Sequence, residues 1–321
     1  MKLIAVFFNE PNFLDDPFDE EEYRIAYRQI GELFETRGGR FAIVRSPESY
    51  RGGNTFKGGW IFRDGEFQRT EDILTPAVIF NRGSFLGDGK AVVVNDPELE
   101  TLCTDKAQTY ALFPHLFPLT KTVHTKEEAT AFLRLIPTAM AVAKPIDEEA
   151  GRGVFILPKK QILKAIPSYP YLLQEFIDTS AGIPGITEAI HDFRIIGIRG
   201  KPVVAYVRMA KPGSYLANVA RGATMREVPL PTVPPEPMRI FEEVDAALQR
   251  FPDRLYSVDT GRDRSGVWKI IELNTKPGTS VMEQDPGTRR YLTGIVELLL
   301  SVAEKSPYSH EPLAISHQSS S

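Results

Sequence analysis

Glu272 and Asn274 stand two residues apart in the run Ile270-Ile271-Glu272-Leu273-Asn274. A strand there carries both on one sheet face and Leu273 on the other. Asp259 closes an earlier apolar run, and a polar stretch bearing Gly261 and Gly266 separates the two. In antiparallel neighbours, the end of the first strand lies beside the start of the second. Asp259 therefore reaches Glu272 and Asn274 only if the turn is long or displaced, which Thr260 to Ser265 allows. These side chains are hard oxygen donors. Mg²⁺ takes few protein carboxylates when phosphates and waters complete its octahedron, so the set suits Mg-ATP. Each carboxylate alone reads as well as a solvated strand end.

Lys144-Pro145 ends another apolar strand, and Asp147 to Val154 then forms a polar loop in which Gly151 and Gly153 bracket Arg152. Such a lysine can place a point charge on a phosphate, while glycines let backbone N–H groups close over the others. A plain hairpin turn explains the same residues. The loop matches neither the Walker pattern nor the dinucleotide GxGxxG fingerprint. Asp105-Lys106 sits at a helix start, where the lysine is either a second phosphate contact or a surface charge. Gln174-Glu175-Phe176-Ile177 follows an apolar strand. It offers backbone groups to an adenine edge with Phe176 packing nearby, or is an edge strand leaving the core.

The elements that must position these groups fall into two blocks. Lys2 to Phe8, Phe41 to Val44, Ala77 to Phe80 and Ala91 to Val94 read as strands. Asp16-Pro17 supplies the start of a helix whose Tyr23, Tyr27, Ile30 and Phe34 keep helical spacing, and Gly38-Gly39 ends it. Arg51 to Arg69 fits an inserted hairpin. From about Asn95, a helical stretch runs through Lys106 and is followed by a helix near Lys126 to Leu135. Strands follow at Met140 to Pro145, Gly151 to Leu157 and Tyr171 to Ile177. Asp192 to Ile198 and Pro202 to Val207 form a hairpin around Arg199-Gly200. A Pro-rich segment leads into a helix through Leu248, and strands follow at Leu255 to Asp259 and Val267 to Leu273. Tyr291, Ile295, Leu298 and Val302 stripe a last helix begun at Asp285-Pro286. The tail from Ser306 is expected to be disordered.

The chain has 321 residues, 42% hydrophobic and 25% charged, enough to bury the cores of two or three units. Its net charge of -4 gives no overall basic field, which argues against nucleic acid as a partner. Cys103 is the single cysteine, so an intramolecular disulfide is impossible and a cysteine zinc site is disfavoured. A reducing cytoplasm is the expected location. The apolar N-terminal run is too short for a membrane span and reads as a strand. His115, His124 and His191 have no metal-ligand spacing, and Trp60 and Trp268 read as packing residues.

In order along the chain stand DK, KP with a glycine loop, QEFI, DFRI, a loop with arginine and asparagine, VD and ELN. That order resembles the ATP-grasp superfamily, most closely its glutathione synthetase and RimK branch, over roughly Asn95 to Gly278. The resemblance implies an α/β (α+β) architecture. Two α+β subdomains, 96–170 and 171–305, clasp ATP after a small Rossmann-like pre-ATP-grasp domain at 1–95, and 306–321 forms the tail. It further implies that Lys106 and Lys144 contact phosphates, that Gly151, Arg152 and Gly153 close over them, and that Gln174, Glu175 and Phe176 meet the adenine. Asp192 would contact the ribose and Asn218 the phosphates. Asp259, Glu272 and Asn274 would hold Mg²⁺, as two ions with Mn²⁺ as an alternative. Arg208 and Arg221 would face an acyl phosphate.

The implied activity is ATP-dependent joining of a small-molecule or peptide carboxylate to an amine, with no nucleic acid or membrane partner and with homo-oligomers allowed. A phosphotransferase or a non-catalytic ATP-binding regulator on the same scaffold are the alternatives. The chain carries Leu216 where the RimK-type loop has arginine, and Ala223 where it has a second glycine.

Overall fold

Strand runs and helix stripes become elements largely where the sequence expects them, in a computed structural model that describes residues 1–10, 17–18, 20–85, 87–146, 153–217, 222–279 and 286–308. These divide into two compact units. The first comprises Met1–Val94, Thr279 and the chain from Leu292 onward, and the second holds Asn95–Gly278 and the start of the last helix.

In the first unit, β1 (Leu3–Phe8) pairs in parallel with β2 (Arg40–Arg45), with α1 (Glu21–Thr36) between them in sequence. Helix α1 starts at Glu21, and the expected cap Asp16 lies outside the described residues. The stripe holds: Tyr27, Ile30 and Phe34 are fully buried. The expected hairpin is part of the sheet. Short β3 (Tyr50–Gly52) pairs with β4 (Thr55–Arg63), and β4 pairs with both β2 and β5 (Glu66–Leu74). Asp64 and Gly65, both at positive φ, make the tight turn between β4 and β5. On the other side of β1 lie β6 (Val78–Asn81) and β7 (Val93–Val94), both in parallel pairings.

The second unit opens with two helices, where the sequence suggests one. Asp105 leaves the helical conformation between α2 (Pro97–Thr104) and α3 (Lys106–Leu112), and its carboxylate accepts from the N–H groups of Ala107 and Gln108. That cap puts Lys106 at the first position of α3. A four-stranded antiparallel sheet follows, built from β8 (Thr120–Val123), β9 (Met140–Lys144), β10 (Phe155–Pro158) and β11 (Tyr171–Glu175) in the order β10-β9-β11-β8. Helices α4 (Lys126–Leu135) and α5 (Lys159–Ala165) share its apolar core.

A five-stranded antiparallel sheet completes the unit. It holds β12 (His191–Ile198), β13 (Lys201–Met209), β14 (Thr224–Glu227), β15 (Leu255–Arg262) and β16 (Trp268–Asn274), in the order β14-β13-β12-β15-β16. Helix α6 (Pro235–Ala247) covers one face, packing Ile240, Phe241 and Val244 on Phe193, Ile195, Val207, Val258, Ile270 and Leu273. Gly197 permits the close approach, since a Cβ there would stand 2.4 Å from the Phe241 ring. Both tryptophans are buried in packing roles, and the side chains on the face opposite α6 alternate with this core.

The last helix, α7 (Pro286–Lys305), buries Tyr291, Ile295, Leu298 and Val302, as its stripe predicts. Its residues from Leu292 belong to the first unit, although the sequence groups them with the metal-ligand half. Ordered chain also extends past the expected start of the tail. Ser306 Oγ donates to the Ala77 carbonyl at 2.5 Å, and Tyr308 donates to the Lys90 carbonyl at 3.1 Å.

Candidate active site

The face of the five-stranded sheet opposite α6 carries a row of charge. Arg194 on β12 is paired directly with Asp259 on β15, and Asp259 with Glu272 on β16. One step along, Asp192 is opposite Arg208 of β13. The sequence predicts β15 to stop at Asp259, but it runs on to Arg262, and the turn is closed by Asp263, whose carboxylate accepts from Ser265 and Val267. The register question is settled by a bulge. Thr260 pairs with Ile270 but Asp259 pairs with Glu272, so Ile271 is an extra residue. Without it, Glu272 would share the core-facing parity of Ile270. The bulge turns it onto the face of Asp259.

Asp259 is fully buried and bound by two arginines. Arg194 donates from Nε to Oδ1 and from Nη2 to Oδ2, each at 2.5 Å, and Arg208 Nη2 adds a third bond to Oδ2 at 2.5 Å. Burial opposes ionisation of Asp259, but the two guanidiniums outweigh it and hold the carboxyl below its usual range. Arg208 also grips Asp192, at 2.6 Å from Nε and 2.7 Å from Nη2. Burial pushes the Asp192 carboxyl up to about 6 against the pull of Arg208, with the like charge of Asp259 adding to the rise.

Glu272 is more open, its side chain 40% exposed, with Arg194 Nη2 3.8 Å away. Asn274 uses Oδ1 to accept from the Lys276 N–H at 2.7 Å. Asp259 has three of roughly four carboxylate acceptor positions occupied, leaving one on Oδ1. Among the described residues, no three His, Cys, Asp or Glu side chains gather as a metal-ligand group. The donors fit Mg²⁺ as two carboxylates and an amide, a sparse set of the kind that leaves room for phosphates and water.

Lys144 ends β9, and its Nζ donates to the Ile271 carbonyl at 3.4 Å, the backbone group of the bulge residue. Burial lowers the lysine to about 8, Glu272 partly restores it, and Lys106 lowers it further. Lys144 is thus within electrostatic reach of both Lys106 and Glu272. Gly153 sits at φ +64, where a Cβ would come within 2.7 Å of Pro145, and its carbonyl accepts from the Tyr171 hydroxyl at 2.5 Å. Gly151, Arg152, Asn218 and Arg221 lie outside the described residues.

On β11, the Gln174 amide is buried and donates to Thr120 Oγ1 at 2.9 Å, so its side chain ties β11 to β8. Glu175 continues that pairing, its N–H donating to the Leu119 carbonyl at 2.8 Å. Phe176 meets Tyr215 edge to face, with ring centroids 5.2 Å apart. Sequence reasoning passed over Tyr215 and Arg194. Arg194 had a legible signal, because it lies two residues from Asp192 and shares its face of a strand that is apolar from Ile195 to Ile198.

No helix among the described residues is long and apolar enough to cross a membrane. Residues 104–291, more than half of the chain, match the family model described as the RimK-like ATP-grasp domain. The chain is similar to the "Probable alpha-L-glutamate ligase" of Legionella pneumophila (strain Corby), 28% identical over 200 residues, 60% of this chain and 61% of that protein. The matches thus span less than two thirds of the length of such curated relatives.

Among solved structures, the chain resembles a Chryseobacterium gregarium RiPP-associated ATP-grasp ligase in complex with ADP and a leader and core peptide. That likeness has TM-score 0.61 and 14% identity, over 98% of this chain and 100% of the other. It likewise resembles the VanG D-Ala:D-Ser ligase from Enterococcus faecalis, with TM-score 0.63 and 14% identity, over 94% and 99% of the two chains. The mixed α+β architecture is the ATP-grasp fold, and the chain belongs to the RimK-like ATP-grasp family.

Proposed function

We propose that this chain is a cytoplasmic ATP-dependent ligase that joins a carboxylate to an amine through an acyl phosphate, releasing ADP and phosphate. The observation that carries the reading is the charged row on one sheet face. Asp259 and Glu272 stand opposite each other there, and Lys144 reaches the intervening backbone at Ile271. Membership of the family supports it, as do the glutamate ligase name of a relative and the ADP and peptide named with a structural neighbour.

In this reading, Lys144 and Lys106 neutralise nucleotide phosphates, and Phe176 packs against the base. Glu272, Asn274 and Asp259 would hold Mg²⁺, with Mn²⁺ a working substitute. When bound, the metal supplies charge neutralisation to the phosphates. The carboxylate oxygen of one substrate attacks the γ-phosphorus as the bond to ADP breaks, and the amine of the second then displaces phosphate to form the amide. Arg208 stabilises charge on the transferred group, and Asp192 holds that guanidinium in place. No protein nucleophile is required.

The test is turnover with Mg-ATP across amino acids and short peptides, beginning with glutamate, with products identified by mass spectrometry. An amide formed in step with ADP and phosphate supports ligation. A stable phosphoester formed without an amine contradicts it.

A further inference from the structure

The sequence motifs account for Asp259 and Glu272 but leave Arg194 without a role. Arg194 is nine-tenths buried, on the strand next to Asp259, and the Nε–Nη2 edge of its guanidinium is engaged there, each nitrogen 2.5 Å from a carboxylate oxygen. The same Nη2 lies 3.8 Å from Glu272 Oε1. A fixed cation therefore stands against both carboxylates that the proposed function gives to the metal. Arg208 differs, since it divides its donors between Asp192 and Asp259 and would keep Asp192 if it left Asp259.

We infer that Arg194 is a positioning residue for the metal site: its bidentate grip fixes the Asp259 carboxylate, so that the one remaining acceptor position on Oδ1 is presented for cation binding beside Glu272. The inference rests on the proposed metal role of Asp259 and Glu272. Its physical basis is general. A ligating carboxylate free to rotate must be ordered when the ion arrives, whereas one already held by a planar fork need not be. A lysine would preserve the charge but not the two-point grip. A mere counter-charge would act oppositely, because removing it would leave the carboxylates more negative and tighten cation binding.

The experiment measures Mn²⁺ binding to the full chain with ADP present, by electron paramagnetic resonance of free Mn²⁺, and ADP binding without metal by calorimetry. Parent, R194K, R194M and E272A are compared, with thermal unfolding as the check on folding. Arg194→Lys and Arg194→Met are each expected to weaken Mn²⁺ binding by about tenfold or more, in line with the loss of a partner that orients a ligand. Metal-free ADP affinity should stay within about threefold. R194K retains the buried charge and keeps the test available if R194M does not fold.

Unchanged or tighter Mn²⁺ binding in R194K or R194M, with weakened binding in E272A, overturns the positioning role and leaves the metal site standing. Unchanged binding in E272A as well overturns the metal reading itself.

Discussion

Glu272 faces Asp259 across the β15–β16 ladder because Ile271 is bulged out between them and the core-facing Ile270. The two carboxylates are nevertheless in different surroundings. Asp259 is buried and held by two guanidiniums, whereas the Glu272 side chain is 40% exposed, with Arg194 Nη2 3.8 Å away. Their substitutions should therefore separate function from stability.

Glu272→Ala is expected to abolish Mg-dependent ADP formation while changing unfolding stability by less than about 1 kcal/mol, the range for an exposed ion pair. Urea denaturation and an ADP-release assay check the two halves. Unchanged turnover would remove the metal assignment.

Asp259→Asn leaves Arg194 and Arg208 buried without their shared countercharge. Breaking a buried pair from one side costs about 3–5 kcal/mol, and the extra tie of Arg208 to Asp192 places this case at the lower end. A loss below about 1 kcal/mol by urea denaturation would show that the network is not electrostatically tight.

Lys144 gives a pH signature. Its folded value of about 8 lies below the ordinary lysine value of 10.5, because burial disfavours the ammonium form. Between those values the unfolded chain holds a proton that the folded chain has released, so stability from this group rises as pH climbs from about 8 toward 10.5. The swing is on the order of 3 kcal/mol. The stability difference between parent and Lys144→Met should therefore shift in favour of the parent over that window. A difference that stays flat with pH contradicts the burial of the charge, and saturating Mg-ADP should reduce the slope by favouring the charged amine.

Much of this was legible in the sequence because it is written in local chemistry. The apolar run of β9 is continuous up to Lys144, β12 and β15 keep apolar residues at alternate positions, Asp105 is a cap residue before Lys106, and Glu272 and Asn274 keep strand spacing. The bulge at Ile271 was not legible, since a two-against-one pairing depends on the partner strand. The stretch Thr260 to Arg262 looks like loop but is held in the sheet by pairing on one side to β16 and, at Thr260, on the other to Phe193. The sequence offers the backbone of the Gln174 segment to an adenine edge but gives no sign that the Gln174 side-chain amide joins Thr120, which the fold shows. Phe176 and Tyr215 meet through tertiary packing that no spacing rule reaches.

Arg208→Lys keeps a cation beside Asp192 and Asp259 but loses the fork that contacts both. Turnover should fall about 10²–10³-fold, the range for losing one donor to developing charge, while ATP affinity stays within about threefold. Single-turnover kinetics with equilibrium binding separates the two. An equal loss in ATP binding would make Arg208 a ground-state phosphate ligand instead.

Isotope transfer tests the central claim most directly. With Mg-ATP, an ¹⁸O-labelled carboxylate substrate and an amine, passage through an acyl phosphate moves one labelled oxygen into the released phosphate for each amide formed. The account predicts phosphate carrying that label in step with amide and ADP. Unlabelled phosphate alongside amide, or label retained entirely in the organic product, would contradict it.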